Sequence, residues 1–158
     1  MCHKSNCTVL RKMHPGKLEL CNLTISYQVD GKTKWEILVA DLRVIGELTN
    51  DHGPYLDDYF ICFATDSNAW YEASFYADGR EEFLKALEVM LGCELRTRLV
   101  WSTEYASNIL WPLHLAGTEM FSFKPVKPKT WIGRLIGSLQ NKQEFTADVL
   151  AELRAGGK

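Results

Sequence analysis

The chain has 158 residues and a mass of 18.0 kDa, a size typical of one domain. Hydrophobic residues make up 46% of the sequence and charged residues 24%, which is typical of a folded globular protein and excludes wholesale disorder. The formal net charge of −2 argues against a uniformly basic nucleic-acid-binding protein.

The charge is distributed unevenly along the chain. Residues 1–17 have a net charge of +4, residues 18–123 of −10 and residues 124–158 of +4. The basic ends either fold back onto the acidic body, which would relieve its self-repulsion, or contact an anionic partner. We expect a single domain over 1–158, with a flexible basic N-terminus at 1–16 and a basic, helical C-terminal extension at 124–158.

The first half of the chain has the alternating pattern of β-strands. Residues 18–40 predict a β-hairpin, because apolar residues alternate on both sides of Asp30-Gly31, a typical type I′ turn. A shift of phase near Cys21-Asn22 indicates a bulge. Residues 41–48 fit either a helical turn or a third, bent strand. Residues 57–65 and 69–76 predict two more strands.

A helix is predicted at about 79–91, with Asp78 as its N-cap and Gly92 as its C-terminal stop. Five apolar residues form one stripe along it: Phe83, Leu84, Leu87, Met90 and Leu91. Beyond it, we predict strands at 95–101 and 119–123 and short helices at 130–140 and 146–154. Pro112 argues against a central strand or an unbroken helix around it.

This order of elements predicts an α+β protein with a mainly antiparallel sheet. Residues 17–92 resemble a pleckstrin-homology-like module of the GRAM or bacterial type. The resemblance is carried by WEILVADLRVI at 35–45, YFICF at 59–63, Trp70-Tyr71 and the apolar spacing of 83–91. It implies a partly open barrel with a packing helix. Lipid-binding members of that family hold phosphates with a basic cluster in the first hairpin, where this chain has only Lys32 and Lys34.

Cysteine and histidine near the N-terminus form the only metal-like grouping in the sequence. The candidate zinc ligands are Cys2, Cys7, His14 and Cys21. The alternative is a frayed terminus with incidental cysteines, and no other cofactor is expected. Cys62 and Cys93 lie in apolar runs, where a free thiol packs as a small hydrophobe. Because no signal-peptide pattern or apolar membrane span is evident, we expect a cytoplasmic protein with reduced thiols.

Two further groups of residues are candidates for contact with a ligand or a partner. An aromatic-lined pocket would use Trp70 and Tyr76 together with His52 or His114. An apolar stripe at the second predicted helix would form an interface: Trp131, Ile132, Leu135, Ile136 and Leu139. The alternative for Trp70 and Tyr76 is that the second half of the chain covers them.

No catalytic residue is assigned, because the sequence has no nucleophile elbow, phosphate loop or zinc-protease spacing. The leading interpretation is a non-enzymatic binding or regulatory module that acts through protein–protein contact, including self-association. A small-molecule-binding protein or enzyme using the aromatic-lined pocket is the second interpretation. Peripheral association with an anionic membrane, through the basic ends, is the third.

Overall fold

The computed structural model describes residues 15–51, 56–66, 69–125 and 141–156. Its strands, numbered in chain order, are β1 (Lys17–Cys21), β2 (Thr24–Val29), β3 (Lys32–Leu38), β4 (Val44–Thr49), β5 (Tyr59–Ala64), β6 (Trp70–Ser74), β7 (Ala106–Trp111), β8 (Phe121–Pro125) and β9 (Asn141–Phe145). Its helices are α1 (Arg80–Leu91) and α2 (Ala147–Ala155). All pairings between these strands are antiparallel, so the predicted α+β class is confirmed.

The strands form three separate units. One sheet has the order β1-β2-β3, the second has the order β6-β5-β4-β7, and β8 pairs with β9 as a hairpin. Within the described residues no strand ladder joins one unit to another, so the sheets are not closed into a barrel. The four-stranded sheet lies at the centre and is covered on both faces.

Each face of the central sheet contributes to its own apolar cluster. The first cluster joins this sheet to β1–β3 and α1, and its largest fully buried members are Leu18, Ile25, Ile45, Ile61, Phe63, Leu87 and Leu110. The second joins it to the β8–β9 hairpin and α2: Val44, Leu48, Cys62, Ala64, Ile109, Met120, Phe121, Phe145, Val149 and Leu153. This alternation explains why β4 and β5 are apolar on both sides.

The hairpin predicted at 18–40 is a three-stranded meander. The predicted bulge near Cys21-Asn22 is wrong, because Asn22 and Leu23 form a tight turn with φ of 49° and 64°. Asparagine often adopts this left-handed conformation but leucine rarely does, so only one of the two central residues signals a turn. The Asp30-Gly31 turn is confirmed, with φ of 52° and 72°. For residues 41–48 the sequence fits a helical turn or a strand, and each holds in part. A 3-10 turn at Val39–Asp41 precedes strand β4.

Helix α1 is confirmed, but its predicted N-cap is wrong. Asp78 is held by β1 instead, because the Leu18 amide donates to Asp78 O and the Asp78 amide donates to Gly16 O, each at 2.9 Å. Gly79, with φ of 78°, then turns the chain into the helix. Gly92 ends it in the left-handed conformation, as predicted.

The second half of the chain differs most from the elements that the sequence predicts. Residues 95–101 form no strand, because two carboxylates take the place of a ladder. The Leu95 amide donates to Glu88 Oε1 at 2.8 Å, and the Arg98 amide donates to Glu47 Oε1 at 2.7 Å. Strand β7 was not predicted, although it ends immediately before the buried Pro112, as the proline argument requires. The C-terminal extension is helical only in part, because β9 precedes α2.

The predicted helix at 130–140 lies outside the described residues. Of the described helices, α1 has twelve residues and α2 has nine, and neither is long and apolar enough to cross a membrane.

Candidate functional site

Trp70 is covered by the second half of the chain, which is one of the two outcomes expected for it. Its ring centroid lies 4.9 Å from that of Phe121 and 5.2 Å from that of Phe145. Its indole nitrogen donates to Glu72 Oε1 at 2.6 Å. Trp70 therefore helps to attach the β8–β9 hairpin to the central sheet.

Tyr76 lies beyond the opposite end of β6 from Trp70, and 51% of its surface is exposed. His114 is exposed elsewhere, with Nε2 2.9 Å from Glu152 Oε2 of α2. The structure thus does not bring Trp70, Tyr76 and His114 together. The fourth residue proposed for that pocket, His52, lies outside the described residues.

The proposed zinc ligands Cys2, Cys7 and His14 also lie outside the described residues. Cys21 is an exposed free cysteine at the end of β1. Among the described residues, no group of three or more histidine, cysteine or carboxylate side chains is placed to hold a metal ion. The stripe proposed as an interface falls wholly outside the described part of the chain: Trp131, Ile132, Leu135, Ile136 and Leu139.

A buried carboxylate, missed by sequence reasoning, lies in the middle of β4. Glu47 has no exposed surface. Its Oε1 accepts from Asn108 Nδ2 at 2.6 Å and from the Arg98 amide at 2.7 Å, and its Oε2 accepts from the Tyr59 hydroxyl. Burial, together with the Glu47 carboxylate, raises the pKa of Tyr59 well above its ordinary value. The hydroxyl therefore stays protonated and remains a donor.

Hydrogen bonds from β4 hold the segment that leads into β7. Glu47 fixes the Arg98 amide, and Thr49 Oγ1 donates to Glu104 O at 2.8 Å. Between these points the Ser102 amide donates to Leu99 O at 2.9 Å and closes a turn. Val100 and Trp101 are the central residues of that turn, and 92% of the Trp101 surface is exposed.

Strand pairing places this turn beside other exposed apolar residues. Thr49, the last residue of β4, pairs with Tyr59 of β5 and with Ala106 of β7. The segments before β5, after β6 and before β7 therefore meet at one end of the central sheet. We call this surface the aromatic end, and its exposed apolar members are Leu56, Tyr76, Val100, Trp101 and Tyr105. Four strands at ~4.8 Å spacing give it a width of about 15 Å.

Acidic side chains surround the aromatic end: Asp51, Asp57, Asp58 and Glu104. The Tyr76 hydroxyl donates to Asp58 Oδ1 at 2.9 Å, and Tyr105 bonds the Asp51 carboxylate. Partial burial and these carboxylates raise the pKa of both tyrosines. Of the described basic residues beside them, Arg80 pairs with Glu81 at 3.2 Å and Lys124 pairs with Glu144 at 3.3 Å. Within the part of the chain that the structure describes, the end is therefore an apolar surface with a negative rim.

Tyr76, Trp101 and Tyr105 all belong to the aromatic-rich stretch that the sequence offers for a ligand, and sequence reasoning selected Tyr76 from it for the predicted pocket. It placed Trp101 in a strand, where alternation would have put the indole on one face of a sheet. Only the pairing register brings the three segments to one end, and no local pattern in the sequence encodes that register. The signal that was available is the run of aromatic residues between 70 and 111.

No protein-family model, curated protein or solved structure matches this chain.

Proposed function

We propose that this protein is a non-enzymatic binding module whose aromatic end docks a basic, apolar segment of another protein. The observation that carries the proposal is Trp101, which is 92% exposed on a turn held from both sides. An exposed tryptophan contributes nothing to the core of its own chain. It is among the residues that contribute most to protein–protein binding.

The turn supports the proposal because it is already in place before binding. The Arg98 amide is bonded to the buried Glu47 and the Glu104 carbonyl to the buried Thr49. A partner that encloses Trp101 would therefore pay little entropy to order this segment. Tyr76 and Tyr105 are restrained in the same way by Asp58 and Asp51.

The charge of the rim supports the choice of a basic partner. Asp51, Asp57, Asp58 and Glu104 lie around the aromatic residues, whereas Arg80 and Lys124 form ion pairs with Glu81 and Glu144. A lysine or arginine side chain could pair with these carboxylates and also lie over the face of an aromatic ring. A negatively charged partner would be repelled.

The proposal also includes a pleckstrin-homology-like module and a cytoplasmic location. The order of the β1–β3 meander, the 3-10 turn, the β4–β6 meander and α1 supports a pleckstrin-homology-like module over 17–92. Cys21, Cys62 and Cys93 are free thiols, which supports a reducing, cytoplasmic location.

Three labelled synthetic peptides of equal length test the docking proposal by fluorescence anisotropy with the full chain. The first alternates lysine with leucine, the second glutamate with leucine, and the third lysine with serine. We expect only the first to bind in the micromolar range, and Trp101→Ala to weaken it at least about tenfold. Leu23→Ala is the matched control, because Leu23 is 63% exposed in the turn between β1 and β2.

Equal binding of the lysine–leucine and glutamate–leucine peptides, or unchanged binding by Trp101→Ala, would contradict the proposal. Sedimentation of the unliganded chain examines self-association directly. A dimer that dissociates in Trp101→Ala but not in Leu23→Ala would assign the surface to a second copy instead of a basic partner.

A further inference from the structure

A second surface feature, separate from the aromatic end, is a groove of about 350 Å³. One wall is the segment between α1 and the Trp101 turn, and the other is the end of β7 with the loop that follows it. We call it the arginine groove, and it is lined by Gly92, Cys93, Glu94, Arg96, Arg98, Ile109, Leu110, Leu113, Ala116 and Gly117. Its volume lies within the range of small-molecule sites.

The apolar part of the groove continues into the core. Ile109 and Leu110 border the groove and are almost completely buried, whereas Leu113 is 63% exposed at its wall. An alkyl or aryl group in the groove would therefore cover the exposed surface of Leu113.

The polar part of the groove is dominated by Arg98. Its guanidinium lies against Gly117, where a Cβ would be 2.8 Å from Nη1. Gly117 has φ of 90°, so the loop adopts a conformation that glycine favours and leaves room for this side chain. The backbone of Arg98 is fixed independently, since its amide donates to the buried Glu47.

Among the described residues, the Arg98 guanidinium has no ion-pair partner, whereas Arg96 is paired with Glu94 at 2.8 Å. The groove thus has one uncompensated positive charge, although residues 18–123 have a net charge of −10. A guanidinium next to apolar side chains is the usual arrangement for a carboxylate that carries a hydrocarbon tail.

From this juxtaposition we propose that the arginine groove binds a small amphipathic carboxylate, with Arg98 holding the carboxylate and Leu113 contacting the tail. The ligand class is an alkyl or aryl monocarboxylic acid. The site does not depend on the aromatic end, since Trp101 and Tyr76 do not line the groove.

Titration of the ¹⁵N-labelled full chain with hexanoate, followed by NMR, tests this proposal. Hexan-1-ol and hexylammonium are the neutral and cationic probes of equal chain length. We expect saturable shifts at the amides of Cys93, Arg98, Leu113 and Gly117 with hexanoate, in the millimolar range, and at least about tenfold weaker binding of the other two probes.

Arg98→Gln should weaken hexanoate at least about tenfold and leave hexan-1-ol unchanged. The variant keeps the amide that bonds Glu47, so its fold and its unfolding midpoint should be those of the natural chain. Arg43→Gln is the control, because Arg43 lines a different groove, with Glu36, Asp41 and Asp66. Absence of saturable hexanoate shifts, or equal hexanoate binding by the natural chain and Arg98→Gln, would overturn the proposal.

Discussion

At the scale of single residues, Glu47 links the interior of the protein to its proposed binding surface. A buried carboxylate is costly unless hydrogen bonds replace its hydration, and here three donors do so: Tyr59, Asn108 and the Arg98 amide. One of these donors belongs to the segment that carries Trp101. The polar group that is most expensive to bury therefore also fixes the start of the Trp101 turn.

Tyr59→Phe should destabilise the protein by about 1–3 kcal/mol at pH 7, because it removes one donor from the buried Glu47. The size of this effect should depend on pH. The folded state raises the pKa of Tyr59 above the ordinary value of 10.0, so the contribution of this tyrosine to stability is complete below pH 10. Above pH 10 the unfolded chain ionises first, and stability falls by about 1.4 kcal/mol per pH unit.

Urea unfolding of both chains between pH 8 and pH 11.5 checks this prediction. Tyr59→Phe cannot ionise at this position, so its deficit relative to the natural chain should shrink above pH 10. Tyr76→Phe is the control, since Tyr76 is half-exposed and its ionisation should affect stability less. A deficit that is the same at pH 8 and pH 11.5 would show that Tyr59 is not held in its neutral form.

At the scale of elements, side chains instead of a further strand cover the outer edge of the central sheet at β6. The outer edge of β6 is covered from the first sheet, where Trp35 Nε1 donates to Glu72 O at 2.9 Å and Tyr27 Oη accepts from the Ser74 amide at 3.4 Å. An uncovered strand edge is prone to pair with other chains. On the face of the central sheet that carries the second apolar cluster, the β8–β9 hairpin packs close to β4. The absence of a side chain at Gly46 permits this close packing.

Gly46→Ala should destabilise the protein by roughly 1–3 kcal/mol, because a Cβ at this position would meet the side chain of Met120 and lie 3.0 Å from Asn108 O. Denaturant unfolding of Gly46→Ala, Met120→Ala and the double variant measures the coupling. We expect Gly46→Ala to cost less when Met120 is already shortened. Strictly additive effects would place the cost in the backbone of β4 instead of the hairpin contact.

Elements whose signals are local could be predicted from the sequence, and those that depend on distant partners could not. The period of α1 and the Asp30-Gly31 turn are encoded in neighbouring residues, and both were found. Residues 95–101 alternate like a strand, yet the Leu95 amide donates to Glu88 and the Arg98 amide donates to Glu47, which is 51 residues away in the sequence. The same holds for the aromatic end, since Trp101 reaches it only through the pairing of β4 with β7.

At the scale of the whole molecule, the net charge of −2 conceals the acidic middle region, with −10 over residues 18–123. The proposed binding surface lies in this region. Most of its carboxylates surround the apolar residues instead of replacing them, so charge would govern approach and the aromatic residues would govern retention. This separation makes the two contributions measurable one at a time.

Binding of the lysine–leucine peptide should therefore weaken with salt, by about tenfold between 50 and 500 mM NaCl, with most of the change in the association rate. Asp57→Asn combined with Glu104→Gln should reduce that salt dependence, because two rim charges are lost, and leave the dissociation rate nearly unchanged. Trp101→Ala should do the reverse, with faster dissociation and the same salt dependence. Glu36→Gln, an exposed position on β3, is the control for charge removal. If Glu36→Gln reduced the salt dependence as much per charge as the rim variants do, the attraction would come from the overall charge of the acidic body and not from the rim.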